Sequence, residues 1–120
     1  VLYRPFHLTS IEVPITIAQA FFYNTPTISP LSDKPFADTI AVAKVDLKAG
    51  DNLGRPGGKA SYGTITTYED SIKRNLLPYG FISTDTILVN DIKKGDFITY
   101  DDVIIPESTL YDLRKEMDGK

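Results

Sequence analysis

The chain has 120 residues, 42% of them apolar and 24% charged, which is enough for one globular domain burying about 65% of its unfolded surface. A net charge of −3 disfavours nucleic acid and anionic membranes as partners, since neither attracts a net anion. The absence of Cys excludes disulfides, thiol catalysis and Cys-ligated zinc, and a single His leaves little material for a two-His metal site or a Ser-His pair.

No signal-peptide pattern opens the chain, no apolar run is long enough for a membrane span, and the expected location is the cytoplasm. The first residue is Val1, so the simplest account is a piece of a longer protein, natural or engineered. Residues 1–9 read as an extended lead-in. Pro14 suits a first helical position, and Ile15, Ala18, Phe21 and Phe22 share one face of a helix ending at Tyr23. Asn24 to Pro35 reads as a Pro-rich linker.

Thr39 to Val45 is expected to form a buried strand, and Ser61 to Thr66 another. Thr67 is a plausible N-cap for a short helix from Tyr68 to Leu76, stopped ahead of Pro78. Ile82 to Asn90 and Phe97 to Ile105 read as further strands. Ser108 can cap a last helix that carries Leu110, Leu113 and Met117 on one face. The domain plan is therefore residues 1–35 as lead-in, helix and linker, 36–106 as the core, and 107–120 as the closing helix.

A weak internal repeat runs through the core. Asp46-Leu-Lys-Ala-Gly-Asp-Asn-Leu53 aligns with Asp91-Ile-Lys-Lys-Gly-Asp-Phe-Ile98, 45 residues on. Each Gly lets the chain reverse and each Asp can bond nearby backbone N–H groups. Two copies of one strand–turn–strand device imply a small pseudo-symmetric β structure.

The tract AVAKVDLKAGDNLGRPGGKASYG, taken with NDIKKGDFITYDDV, resembles the SAF domain, whose fold is a β-clip. The flanks narrow this. RPFHL with Glu12 and Pro14, then GRPGGKASYG, LLPYG and LRKEMD, resemble the C-terminal region of homoserine-dehydrogenase-like NAD(P)-dependent oxidoreductases that carry a C-terminal SAF domain. The resemblance implies a mostly β, α+β fold with peripheral helices. It also implies Rossmann and catalytic domains of a parent chain as partners, NAD(P) as the parent's cofactor, and a possible homo-oligomer. No cofactor is expected in this chain, and the isolated chain is expected to be inactive. The only Gly cluster, Gly54, Gly57 and Gly58, contains Pro56 and precedes a strand, which is not the strand–glycine–helix order of a dinucleotide site.

Two sets of residues are chemical candidates. His7, with Glu12 to orient it and Arg4 beside them, could reach the rim of a parent active site. The plainer account is an Arg4–Glu12 ion pair with His7 bonding backbone. Lys44, Arg55, Gly57, Gly58, Lys59 and Tyr62 could hold an anionic ligand such as an acidic sugar, which would make the chain a free-standing carbohydrate- or anion-binding module. The plainer account there is a solvated hairpin with surface lysines. Asp91, Asp96, Asp101 and Asp102 lack the alternating spacing of a Ca²⁺ loop, and no metal site is expected.

Overall fold

The computed structural model describes residues 9–27, 32 and 34–119, with the side chains of residues 9–12 left out. The chain divides into two compact units, Val1–Asp33 and Lys34–Lys120.

The first unit holds helix α1, Thr9–Tyr23. It begins ahead of the expected start, so Pro14 lies inside the helix and the bond its N–H would have made is missing. Asn24, at φ 52°, closes the helix in the left-handed conformation and donates its N–H to the Ala20 carbonyl (3.0 Å).

Over the described residues more lie in helices than in strands, so the fold is α+β and not mostly β. In the second unit Ala37–Ala43 (β1) and Ser61–Thr67 (β2) pair antiparallel, from Ala37 opposite Thr67 to Ala43 opposite Ser61. Helix α2, Tyr68–Lys73, starts where expected, with the Thr67 hydroxyl accepting from the Asp70 N–H (3.2 Å). It ends earlier than Leu76. Asn75, at φ 53°, donates to the Ile72 carbonyl while Leu76 donates to Ser71, and this left-handed closure stops the helix before Pro78 can. Helix α3, Thr109–Asp118, is capped by Ser108 and closed by Gly119 at φ 71°.

The two later strands are far shorter than expected. Ile87–Leu88 (β3) and Val103–Ile104 (β4) pair as strands, while Phe97 and Thr99 make single bridges to Val42 and Leu76. Local side chains take the backbone groups a longer ladder would use. Thr86 Oγ1 accepts from the Ser83 N–H (3.2 Å) and donates to the Phe81 carbonyl (2.7 Å). Asp102 accepts from both the N–H (2.9 Å) and the hydroxyl (2.6 Å) of Thr99.

The repeat builds a pseudo-two-fold centre. Leu47 and Ile92 exchange backbone bonds (2.8 and 3.0 Å) on its axis. Gly50 and Gly95 turn at φ 90° and 91°, a region that favours glycine. Asp91 accepts from the Ala49 N–H (3.0 Å) and Asp46 from that of Lys94 (2.9 Å). Lys48 pairs with Asp91 (2.6 Å) and Lys93 with Asp46 (3.5 Å), so each turn is pinned by the other's side chains. These contacts hold both exposed carboxyls below the usual carboxylate range, led by the Lys94 N–H for Asp46 and by Lys48 for Asp91. The symmetry continues outward: Ala43 donates to Asp96 and Leu88 to Asp51, then Leu53 to Thr86 and Ile98 to Ala41. Leu47, Leu53, Leu77, Leu88, Ile92 and Ile98 make the core between the halves.

Candidate functional site

The Gly-rich loop joins β1 to β2. Its backbone donors turn inward. The Gly57 N–H donates to the Tyr79 hydroxyl (2.7 Å) and the Gly58 N–H to the Arg55 carbonyl (2.9 Å). Gly57 sits at φ +80°, and a Cβ on Gly58 would lie 2.8 Å from the Arg55 carbonyl oxygen, so the turn needs both glycines for its own closure. Half-buried Lys44 donates to the Gly58 carbonyl (2.8 Å). The fold brings Lys44, Gly57 and Gly58 together in a self-satisfied turn. An anion would meet the exposed Arg55 and Lys59 at its rim, with Tyr62 further along on β2. The loop leads into a strand, and its two glycine N–H groups are spent; it does not fit a dinucleotide pyrophosphate.

Arg4 and His7 lie outside the described residues. Glu12 belongs to α1, with its side chain outside them. The carboxylates considered for metal have other roles. Asp91 and Asp102 hold turns, Asp101 accepts from the Asn75 amide (2.9 Å), and Asp96 contributes its backbone to β1. Among the described residues no three such side chains converge as a metal site.

A buried cluster fastens α3 to the sheet. Arg114 sends Nη2 to Asp38 of β1 and Nε to both oxygens of Asp118 (2.9 and 3.0 Å). The Ser71 hydroxyl donates to Asp38 (2.9 Å) and the Tyr68 hydroxyl to Asp118 (2.6 Å). Sequence reasoning missed this cluster. Its only local signal is the Arg114–Asp118 spacing of four, common on any helix surface; Asp38 is 76 residues away.

Burial, then the bond to Asp118, pushes the Tyr68 phenol up to about 12. The fold therefore favours neutral Tyr68. That stability is complete below the ordinary Tyr value of 10.0 and is lost as pH rises toward about 12. Tyr68→Phe should cost about 1 kcal/mol at neutral pH. The gap from wild type should narrow between these two pH values, as read by urea midpoints. A gap that stays constant through alkaline pH would refute this role. Tyr100, whose phenol burial also raises, titrates in both proteins and cancels in the comparison.

Both α3 and α1 expose apolar side chains. α3 turns Leu110, Leu113 and Met117 outward over a groove of about 500 Å³ that also includes Pro78 and Phe81. α1 exposes Val13, Ile15, Ile17, Phe21, Phe22 and Tyr23, with Phe21 at 79%. Among the described residues no helix is long and apolar enough to cross a membrane. No family model matches the chain, and no curated protein is recognisably similar to it in sequence.

Proposed function

We propose that the chain is a C-terminal accessory domain of an NAD(P)-dependent oxidoreductase resembling homoserine dehydrogenase, with a β-clip SAF core in residues 36–106 and a docking helix in α1. Its role is to complete the catalytic domain rather than to carry the cofactor. The observation that carries this reading is α1 itself. From Val13 to Tyr23 the helix has no charged residue, and apolar side chains emerge on every side. A helix apolar all round belongs inside a larger body. The pseudo-two-fold device supports the SAF part of the reading, and the inward-turned Gly loop supports a chain that binds no dinucleotide of its own.

The test is made on the native gene product. An antibody to this chain should detect a band several times heavier than 13.3 kDa in source cells. Phe22→Asp in that product should misplace the domain and lower dehydrogenase turnover about a hundredfold, the scale of a misplacement of roughly 1 Å remote from the chemistry. A band near 13.3 kDa, or unchanged turnover in the variant, would overturn the proposal.

A further inference from the structure

Asp118–Gly119 is the only Asp-Gly pair in the chain, and no Asn-Gly pair occurs. An Asp-Gly link is chemically labile, because glycine has no Cβ to hinder attack by its own backbone nitrogen. The Gly119 nitrogen can attack Cγ of the Asp118 side chain. A C–N bond forms, a Cγ–O bond breaks, and the carboxyl OH leaves with the amide proton as water. Water then opens the resulting succinimide ring at either carbonyl. Opening at Cγ restores aspartate. Opening at the main-chain carbonyl leaves isoaspartate, with the chain now running through the former side chain. The sequence of steps needs no reactant but water.

The fold holds both reacting groups apart. Asp118 is the last residue of α3, and its side chain is 1% exposed. Arg114 Nε reaches both carboxylate oxygens (2.9 and 3.0 Å), and the Tyr68 hydroxyl donates to one of them (2.6 Å). The Gly119 N–H turns back into the helix and donates to the Glu116 carbonyl (3.2 Å). Ring closure therefore requires three things at once: a released carboxylate, a released amide and a non-helical ψ at Asp118. Packing adds no restraint at the glycine, since nothing lies within 4 Å of the place a Gly119 Cβ would take.

We propose that Asp118–Gly119 is a self-modification site gated by the buried Arg114 cluster. While Arg114 and Tyr68 hold the carboxylate, the residue persists as aspartate. Each opening of the last turn of α3 exposes it to isoaspartate formation. The product does not close again. An isoaspartyl link adds a methylene to the main chain and shortens the arm that carries the carboxylate. Gly119 then cannot close the helix while the carboxylate reaches Arg114 and Tyr68. A transient opening is thereby converted into a lasting release of the end of α3.

The sequence supplies the readout. Trypsin cuts after Lys115, and the peptide Glu116–Lys120 carries the site; its aspartyl and isoaspartyl forms share one mass and separate by chromatography. The full chain is aged at neutral pH beside the synthetic peptide Glu116–Lys120. The peptide should isomerise at least about tenfold faster than the folded chain, because only the chain must first open. Tyr68→Phe removes one bond to Asp118 and should speed isomerisation in the folded chain about fivefold, the scale of one lost hydrogen bond. Lys48→Met, outside the cluster, should leave the rate unchanged. A folded chain that isomerises as fast as the peptide overturns the proposal, as does a peptide that stays aspartyl. So does a Tyr68→Phe rate equal to that of wild type, or an acceleration that Lys48→Met matches.

Discussion

Replacing Arg114 by Met should cost the fold about 3–5 kcal/mol, the scale expected when one partner of a buried ion network is removed. The Arg114, Asp38 and Asp118 side chains are only 12%, 10% and 1% exposed. Methionine restores much of the volume and none of the charge. Among the described residues Asp38 keeps the Ser71 hydroxyl as a donor and Asp118 the Tyr68 hydroxyl. Neither hydroxyl neutralises a carboxylate, and each is left desolvated beside another anion. The measurement is the urea midpoint of Arg114→Met at neutral pH. A neutral-pH loss below about 1 kcal/mol would mean that α3 is held by apolar packing alone, and the latch would be refuted. Lys48→Met is the control. It breaks an ion pair of comparable length, but one with both side chains more than half exposed, and should shift the midpoint little.

The latch shows which parts of the fold the sequence could disclose. Where one residue type has one local duty, the reading came through. Thr67 and Ser108 cap helices because their hydroxyls reach an N–H three residues on, a distance contained in the segment itself. The doubled Asp-x-Lys-x-Gly-Asp turn announced the pseudo-two-fold centre, because the same local geometry was needed twice. The pairing of Lys48 with Asp91, rather than with its own turn, was not legible; it depends on how the two copies face each other. The later strands failed for a related reason. Ile82–Asn90 and Phe97–Ile105 have strand-like composition, but Ser83, Thr86, Thr99 and Asp102 compete for the backbone and win it locally. In the Gly-rich loop, Gly57 and Gly58 were expected to let backbone N–H groups approach an anion. What approaches the Gly57 N–H is Tyr79, 22 residues downstream, and no window of sequence contains both.

The pseudo-symmetry also predicts matched energetics at its core. Leu53 and Ile98 occupy equivalent positions in the repeat and are 1% and 0% exposed. Their N–H groups donate to equivalent carbonyls, Thr86 and Ala41, at 3.0 Å each. Leu53→Ala and Ile98→Ala should each cost about 2–5 kcal/mol through lost transfer energy and the cavity left behind. Both side chains lie in one cluster with Leu47 and Ile92, the pair on the axis. If the two halves form a single cooperative core, either substitution loosens the same central contact. The double variant should then cost less than the sum of the singles, because the second cavity opens in a core already relaxed by the first. Even so, two such losses approach the roughly 5–15 kcal/mol that holds a domain together, and the double variant should be largely unfolded at 25 °C. Urea denaturation of the two singles, the double and Ile65→Ala completes the test. Ile65→Ala, at an exposed position, should change the midpoint little. A large loss at Leu53 with a small one at Ile98 would show that the repeat is a likeness of turns alone, and that only one half of the second unit carries its core.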